Sequence, residues 1–99
     1  MLKDKIVVIT GGAGLLGKEF SKSIVKDRGT VIIADINEES ANSFIPEINQ
    51  LYPNASILFH YLDIRSKNSI EKLIKNVSKQ FGKIDAWVNN AYPKIKSMN

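Results

Sequence analysis

Ile6-Val-Val-Ile-Thr10-Gly-Gly-Ala-Gly-Leu-Leu-Gly17 is the stretch on which the reading of this chain turns. Its four leading apolar residues read as a strand, about Ile6 to Thr10, covered on both faces. Gly11, Gly12 and Gly14 then let the backbone turn tightly and approach a bound group with no Cβ in the way. Gly17, three residues on, would let the following helix pack against its strand. Strand, glycine turn and helix start form the arrangement that cradles a dinucleotide pyrophosphate. Free N–H groups of the first helical turn and the positive end of the helix dipole face the anion.

Outward from that stretch, strand and helix patterns alternate without repeats. The first helix starts near Gly14, places Leu16, Phe20 and Ile24 on one stripe, and stops with Gly29 as its C′ residue. Strand two is Thr30 to Asp35. Helix two follows Asn37 as N-cap, with Glu38 and Glu39 in its first turn and Ala41, Phe44, Ile45, Ile48 and Leu51 as its stripe. Pro46 falls inside that stripe and predicts a kink or a restart. Strand three runs from Ser56 to about Asp63. Helix three begins after Ser66, turns Ile70, Leu73, Ile74, Val77 and Phe81 inward, and ends at Gly82. Strand four is Ile84 to Asn89. Four strands joined by three helices give an α/β fold: a parallel sheet with helices on both faces. With the glycine turn at a carboxyl edge, strand order should reverse there, giving 3-2-1-4.

Ninety-nine residues, 43% of them hydrophobic, make one small globular domain over 1–99. The net charge of +4 comes from scattered lysines. Lys18, Lys22 and Lys26 on one helix, and Lys67, Lys72, Lys75 and Lys79 on another, fit solvated helix faces. No aromatic platform accompanies them, so no nucleic-acid partner is expected. Apolar runs fall far short of a membrane span, and no signal-type segment precedes the first strand; no membrane partner is expected, and a cytoplasmic location is the simplest reading. With no cysteine there is no disulfide framework, and no metal site is expected.

Asp35 ends strand two about twenty residues beyond the glycines, where a carboxylate can accept hydrogen bonds from adenosine ribose hydroxyls. The same charge would repel a 2′-phosphate, by about 4 kcal/mol at 4 Å and an effective dielectric near 20. Neither Gly12, Ala13 nor Ile36 offers a cation in compensation. NAD is therefore expected in preference to NADP.

With these residues in view, the sequence resembles the short-chain dehydrogenase/reductase family, whose cofactor domain is Rossmann-like. The matching segments are Thr10 to Gly17, Asp35, Leu62-Asp63-Ile64, and Gly82-Lys-Ile-Asp-Ala-Trp-Val-Asn-Asn-Ala91, in the family's order over almost the whole chain. The resemblance implies that Asp63 and Ile64 lie beside the adenine and that Asn89, Asn90 and Ala91 line the cofactor's ribose side. The glycine segment (Gly11, Gly12, Ala13, Gly14, Leu15, Leu16, Gly17) with Asp35 and Ile36 completes the expected cofactor set. Position 15 is Leu where the commonest family pattern has glycine. The resulting Gly11-x-x-Gly14-x-x-Gly17 spacing is more typical of the extended branch, with its sugar-nucleotide epimerases and dehydratases. Asn89-Asn90-Ala91 favours the shorter branch instead. Tyr92-Pro93 in place of the usual glycine is similar to a subset associated with bacterial surface-sugar and flagellin modification.

The family's catalytic serine, and its tyrosine and lysine four apart, lie well beyond Asn99, so no catalytic residue is assigned within this chain. Tyr92 and Lys96 share that spacing but follow strand four directly and enclose Pro93, which makes chance the better account. His60, the only histidine, sits mid-strand and reads as a sheet residue. The resemblance thus implies the NAD-binding fragment of an oxidoreductase that moves hydride between a nicotinamide and a carbonyl or alcohol substrate, inactive by itself. A stand-alone dinucleotide-binding regulatory module, or a structural α/β domain that binds nothing, are the alternatives. An open edge on strand four, around Trp87 and Val88, predicts self-association or a homo-oligomer.

Overall fold

Seven elements alternate along the chain: β1 (Ile6–Thr10), α1 (Leu15–Lys26), β2 (Thr30–Asp35), α2 (Glu38–Leu51), β3 (Ser56–Tyr61), α3 (Lys67–Phe81) and β4 (Ala86–Asn89). The computed structural model describes residues 2–90. All three strand pairings are parallel and the order is β3-β2-β1-β4, as the alternation predicts. Strand periodicity divides the core. Val7, Ile9, Val31 and Ile33 face α1 and α2 with Val25, Phe44 and Ile48. Ile6, Val8, Ile32 and Ala34 face α3 with Leu73 and Val77. Both central strands are buried on both faces, which is why they read as continuous apolar runs.

The buried face of α1 is not the expected one. Gly17, Ser21 and Val25 are buried, Ile24 is half-buried, and Leu16 and Phe20 are exposed. The helix lies so near the sheet that only small residues fit beneath its first two turns, and the large ones rotate outward. Ser21 satisfies its buried hydroxyl by donating to Gly17 O at 2.8 Å.

The end of α1 also differs. Arg28 takes the left-handed position, with φ 69°, while Gly29 N–H reaches Ile24 O at 2.9 Å and Arg28 N–H reaches Val25 O at 3.0 Å. This is a Schellman closure with arginine at C′, one residue before the expected Gly29. Gly29 is required by packing instead: a Cβ there would stand 2.6 Å from Ile24 Cγ2.

Helix α2 is capped by Asn37, whose side chain accepts from Ser40 N–H at 3.0 Å. It continues through Pro46 without the expected restart. Phe44 and Ile48, on either side of the proline, are both buried and hold the two halves on one surface. Leu51 is exposed rather than part of the stripe, Ile45 is partly buried, and on α3 Ile74 is exposed beside buried Leu73 and Val77. Helix α3 starts at Ser66, which accepts from Ser69 N–H at 3.1 Å, and ends at Gly82 with φ 81°.

Strand β3 ends at Tyr61 and β4 begins at Ala86, both shorter than the apolar runs suggest. Leu62 leaves the ladder but stays buried, its N–H donating to Asp35 O at 3.0 Å. Asp85 pins the entry to β4. Its Oδ2 accepts Ile6 N–H at 2.7 Å, its own N–H donates to Ile6 O at 2.8 Å, and Lys83 Nζ stands 3.2 Å away. The Ile6 amide, and then Lys83, hold the Asp85 carboxyl below its ordinary range.

Three substitutions probe these features. Arg28→Gly, which relieves a left-handed non-glycine residue, should stabilise the protein by about 1 kcal/mol in urea unfolding, and Gly82→Ala should destabilise it by a similar amount. Because Asp85 has a lowered pKa when folded, its contribution is present above the unfolded-state pKa and is lost as pH falls through the folded value. Asp85→Asn should therefore flatten the acid limb of a stability–pH profile.

Candidate cofactor site

The glycines of the first turn have separate physical reasons. Gly11 turns the chain out of β1 with φ 67°, its N–H donating to Ala34 O at 2.8 Å. Gly12 is buried, and a Cβ on it would lie 2.9 Å from Ile9 O and 3.0 Å from Ile33 Cγ2. A Cβ on Gly17 would strike Gly12 itself, 2.5 Å from both its Cα and its O. Helix and turn thus touch backbone to backbone.

Gly14 is different. A Cβ there would meet only Gly11 O, at an ordinary 3.7 Å. The fold does not require glycine at this position; the space beside it lies open at the start of α1. Gly14 is the N-cap in extended conformation, with no side-chain cap and no acidic residue in the first turn. Asn37 and Ser66, by contrast, cap α2 and α3. An uncapped helix start beside a glycine that packing does not need fits an anionic group such as a pyrophosphate.

Asp35 stands at the end of β2, next to this turn. Its Oδ2 accepts Ala13 N–H at 3.0 Å and its Oδ1 accepts Asn37 N–H at 2.9 Å. A carboxylate offers about four acceptor positions, so each oxygen keeps one for a further donor. No ion pair of Asp35 is found among the described residues. Ile36 follows it, exposed.

Thr10, absent from the expected set, joins the turn to β4. Its hydroxyl donates to Asn89 Oδ1 at 2.8 Å and accepts Asn90 N–H at 3.1 Å. Asn90 Nδ2 reaches Gly11 O at 3.4 Å. Asn89 and Asn90 therefore brace the turn from the strand beside it. Ala91, Tyr92 and Lys96 lie outside the described residues.

Beyond β3, Asp63 carries a fork of donors from Arg65: Nε to Oδ1 at 3.1 Å, Nη2 to Oδ2 at 3.3 Å and the Arg65 N–H to Oδ1 at 3.0 Å. The Arg65 side chain, and then its amide, hold the Asp63 carboxyl below its ordinary range. Asp63 N–H is fixed by Ser69 Oγ at 2.9 Å. Ile64 packs, half-buried, against the α3-side core. Leu15 and Leu16 point largely into solvent, and Ala13 packs against the other core cluster.

The carboxyl ends of all four parallel strands thus bring together Gly11 to Gly17, Asp35 and Ile36, Asp63 and Ile64, and Asn89 and Asn90 along one edge. His60 lies on β3, its Nδ1 2.8 Å from Tyr61 O and its Nε2 3.1 Å from Asn76 Nδ2. Both ring nitrogens are engaged in the sheet and α3, as expected for a sheet residue. Among the described residues no cluster of His, Cys, Asp or Glu could hold a metal ion, and no helix is long and apolar enough to cross a membrane.

A parallel sheet with a glycine turn, an uncapped helix start and an acidic residue at the next strand end defines a dinucleotide-binding Rossmann-type protein. Residues 5–97 match the short chain dehydrogenase family model, and the chain belongs to that family. It is 36% identical over 93 residues to the post-translational flagellin modification protein A of Campylobacter coli, covering 94% of this chain and 36% of that protein. It is 35% identical over 88 residues to a 7alpha-hydroxysteroid dehydrogenase of Bacteroides fragilis, covering 89% and 33%. Among solved structures, a short chain dehydrogenase from Bacillus anthracis matches at TM-score 0.82 and 34% identity, covering 92% of this chain and 36% of that one. The chain spans about a third of the length of the relatives it matches. The family binds nicotinamide dinucleotides, consistent with the uncapped start of α1.

The two glycine environments should separate in stability measurements. Gly17→Ala, forced against the Gly12 backbone, should cost about 1–3 kcal/mol or more of unfolding free energy. Gly14→Ala should cost less than about 1 kcal/mol, the difference between glycine and alanine at an N-cap.

Proposed function

We propose that this chain is the N-terminal, cofactor-binding portion of an NAD-dependent short-chain oxidoreductase. Its substrate is a small-molecule carbonyl or alcohol, and the 99 residues alone do not turn over. The observation that carries the reading is the open, uncapped start of α1 at Gly14, with Asp35 one strand away. When bound, the nicotinamide supplies the hydride acceptor or donor.

The backbone from Gly11 to Gly17 binds the pyrophosphate, and the α1 dipole favours its charge. Asp35 accepts from the adenosine ribose hydroxyls through the position each oxygen keeps free, and Ile36 covers that ribose. Asp63 and Ile64 lie beside the adenine; Asn89 and Asn90 line the cofactor's ribose side. The choice of NAD over NADP follows from Asp35, which would face a 2′-phosphate with no cation paired to it among the described residues. The hydroxysteroid dehydrogenases among the relatives support an alcohol or carbonyl substrate. The exposed residues of β4, Trp87 among them, support self-association through that edge.

Titration calorimetry tests the reading. NAD should bind and NADP should bind much more weakly. Asp35→Ser combined with Ile36→Arg should reverse the order, and Gly14→Val should weaken NAD by about tenfold or more while the protein stays folded. An absence of heat with millimolar NAD, or equal binding of NAD by the Gly14→Val protein, overturns the proposal.

A further inference from the structure

The amino edge of the sheet, opposite the glycine turn, carries a cavity of about 530 Å³. Three segments enclose it: the turn before β1, the end of α1 with Gly29, and the connection from α2 to β3. Its wall is continuous with the core on the α1 and α2 side. Val25 and Gly29 are buried there, and Tyr52 and Ala55 are half-buried against that core. The rim is charged: Lys3, Lys26 and Arg28 are exposed, and Asp4 is the single carboxylate among the lining residues. A volume of this size, with an apolar wall and a few polar groups at its mouth, suits a small molecule.

The rim cations are not taken up by the protein itself. None of the three forms an ion pair among the described residues. Lys26 alone would be an ordinary cation at a helix C-terminus, and the ends of α1 and α2 each carry about half a negative charge. Those two ends and Asp4 together offset about two of the three cations, so the mouth stays positive. Asp27 does not line the cavity; its Oδ2 accepts Leu2 N–H at 3.2 Å.

Backbone conformation marks the same place. Among the described residues only Asp4 and Arg28 are non-glycine residues with left-handed φ, at 65° and 69°, and both stand on this rim. Asp4 sits in the turn closed by Lys5 N–H to Leu2 O at 2.9 Å, and Arg28 closes α1. Glycine would fit either position with less strain, yet each holds a charged side chain at the mouth of the cavity. Strained residues gathered at a concave site point to a ligand.

We propose that this cavity binds a small organic anion, whose apolar or aromatic body lies against Val25, Gly29, Tyr52 and Ala55 while its carboxylate, sulfonate or phosphate group meets Lys3, Lys26 and Arg28. The site lies at the edge opposite the dinucleotide and does not rest on the cofactor reading.

Naphthalene-2-sulfonate, which joins an aromatic body to an anion, is the probe, titrated by calorimetry into the full encoded protein with NAD in excess. It should bind with a Kd below about 1 mM. 2-Naphthol, the body without the full charge, and inorganic sulfate, the charge without the body, should each bind about tenfold more weakly or worse. Arg28→Gly and Lys26→Gln should each weaken the probe about threefold, the scale of an exposed charge pair, and the double variant about tenfold. Arg28→Gly relieves strain and should melt no lower than the wild type, so its loss of binding is not a loss of fold. Lys26→Gln tests the rim again at an exposed helical position. Because Arg28 lies opposite the glycine turn, its effect locates the probe in this cavity. No heat with the sulfonate, equal binding of 2-naphthol or of sulfate, or unchanged affinity in the double variant overturns the proposal.

Discussion

Backbone contact between Gly12 and Gly17 is the constraint on which the rest of this structure depends. A single methyl group on Gly17 would overlap the Gly12 peptide, so the first turn of α1 can sit where it does only because Gly17 has no side chain. That closeness directs the uncapped start of the helix over the end of β1. It leaves Gly14 facing open space and brings Ala13 N–H within reach of Asp35. Burial of Ser21 and the outward rotation of Leu16 and Phe20 follow from the same approach.

The order of elements, the parallel sheet and the reversal of strand order could all be read from apolar runs and their punctuation. Asn37, Ser66 and Gly82 cap their helices where their side chains, or the lack of one, predict. The buried face of α1 could not be read in this way. Helical periodicity assumes that side chains fill the gap between helix and sheet, whereas here backbone fills it. Arg28 shows a second gap: glycine is the usual left-handed closing residue, so Gly29 attracts the assignment, but steric contact with Ile24 claims Gly29 first. Pro46 shows that burial on both sides of a proline can outweigh the loss of one helical hydrogen bond.

At the site, spacing is enough to single out the glycines and Asp35, whereas Asp63, Asn89 and Asn90 are singled out only by the family resemblance. What spacing could not show is how those groups hold one another. Asp35 on Ala13 N–H, and Thr10 on Asn89, depend on rotamers and on register between strands far apart in sequence. One such contact does leave a trace in the sequence. Asp63-x-Arg65 puts an arginine two residues from a carboxylate at a strand end, close enough for a fork to form.

Thr10 and Asn89 stand 79 positions apart, as do Ile6 and Asp85, and Thr10 and Asn90 are 80 apart. Closing so long a span is entropically the costliest kind of contact in a chain of this size. A nascent polypeptide that has emerged only through α3 already contains the glycine bend, its helix and both carboxylates. It still lacks the strand that secures the threonine. The glycine bend and both carboxylates are thus made before the strand that secures them, and their last fastening arrives only when translation reaches Asn89 and Asn90.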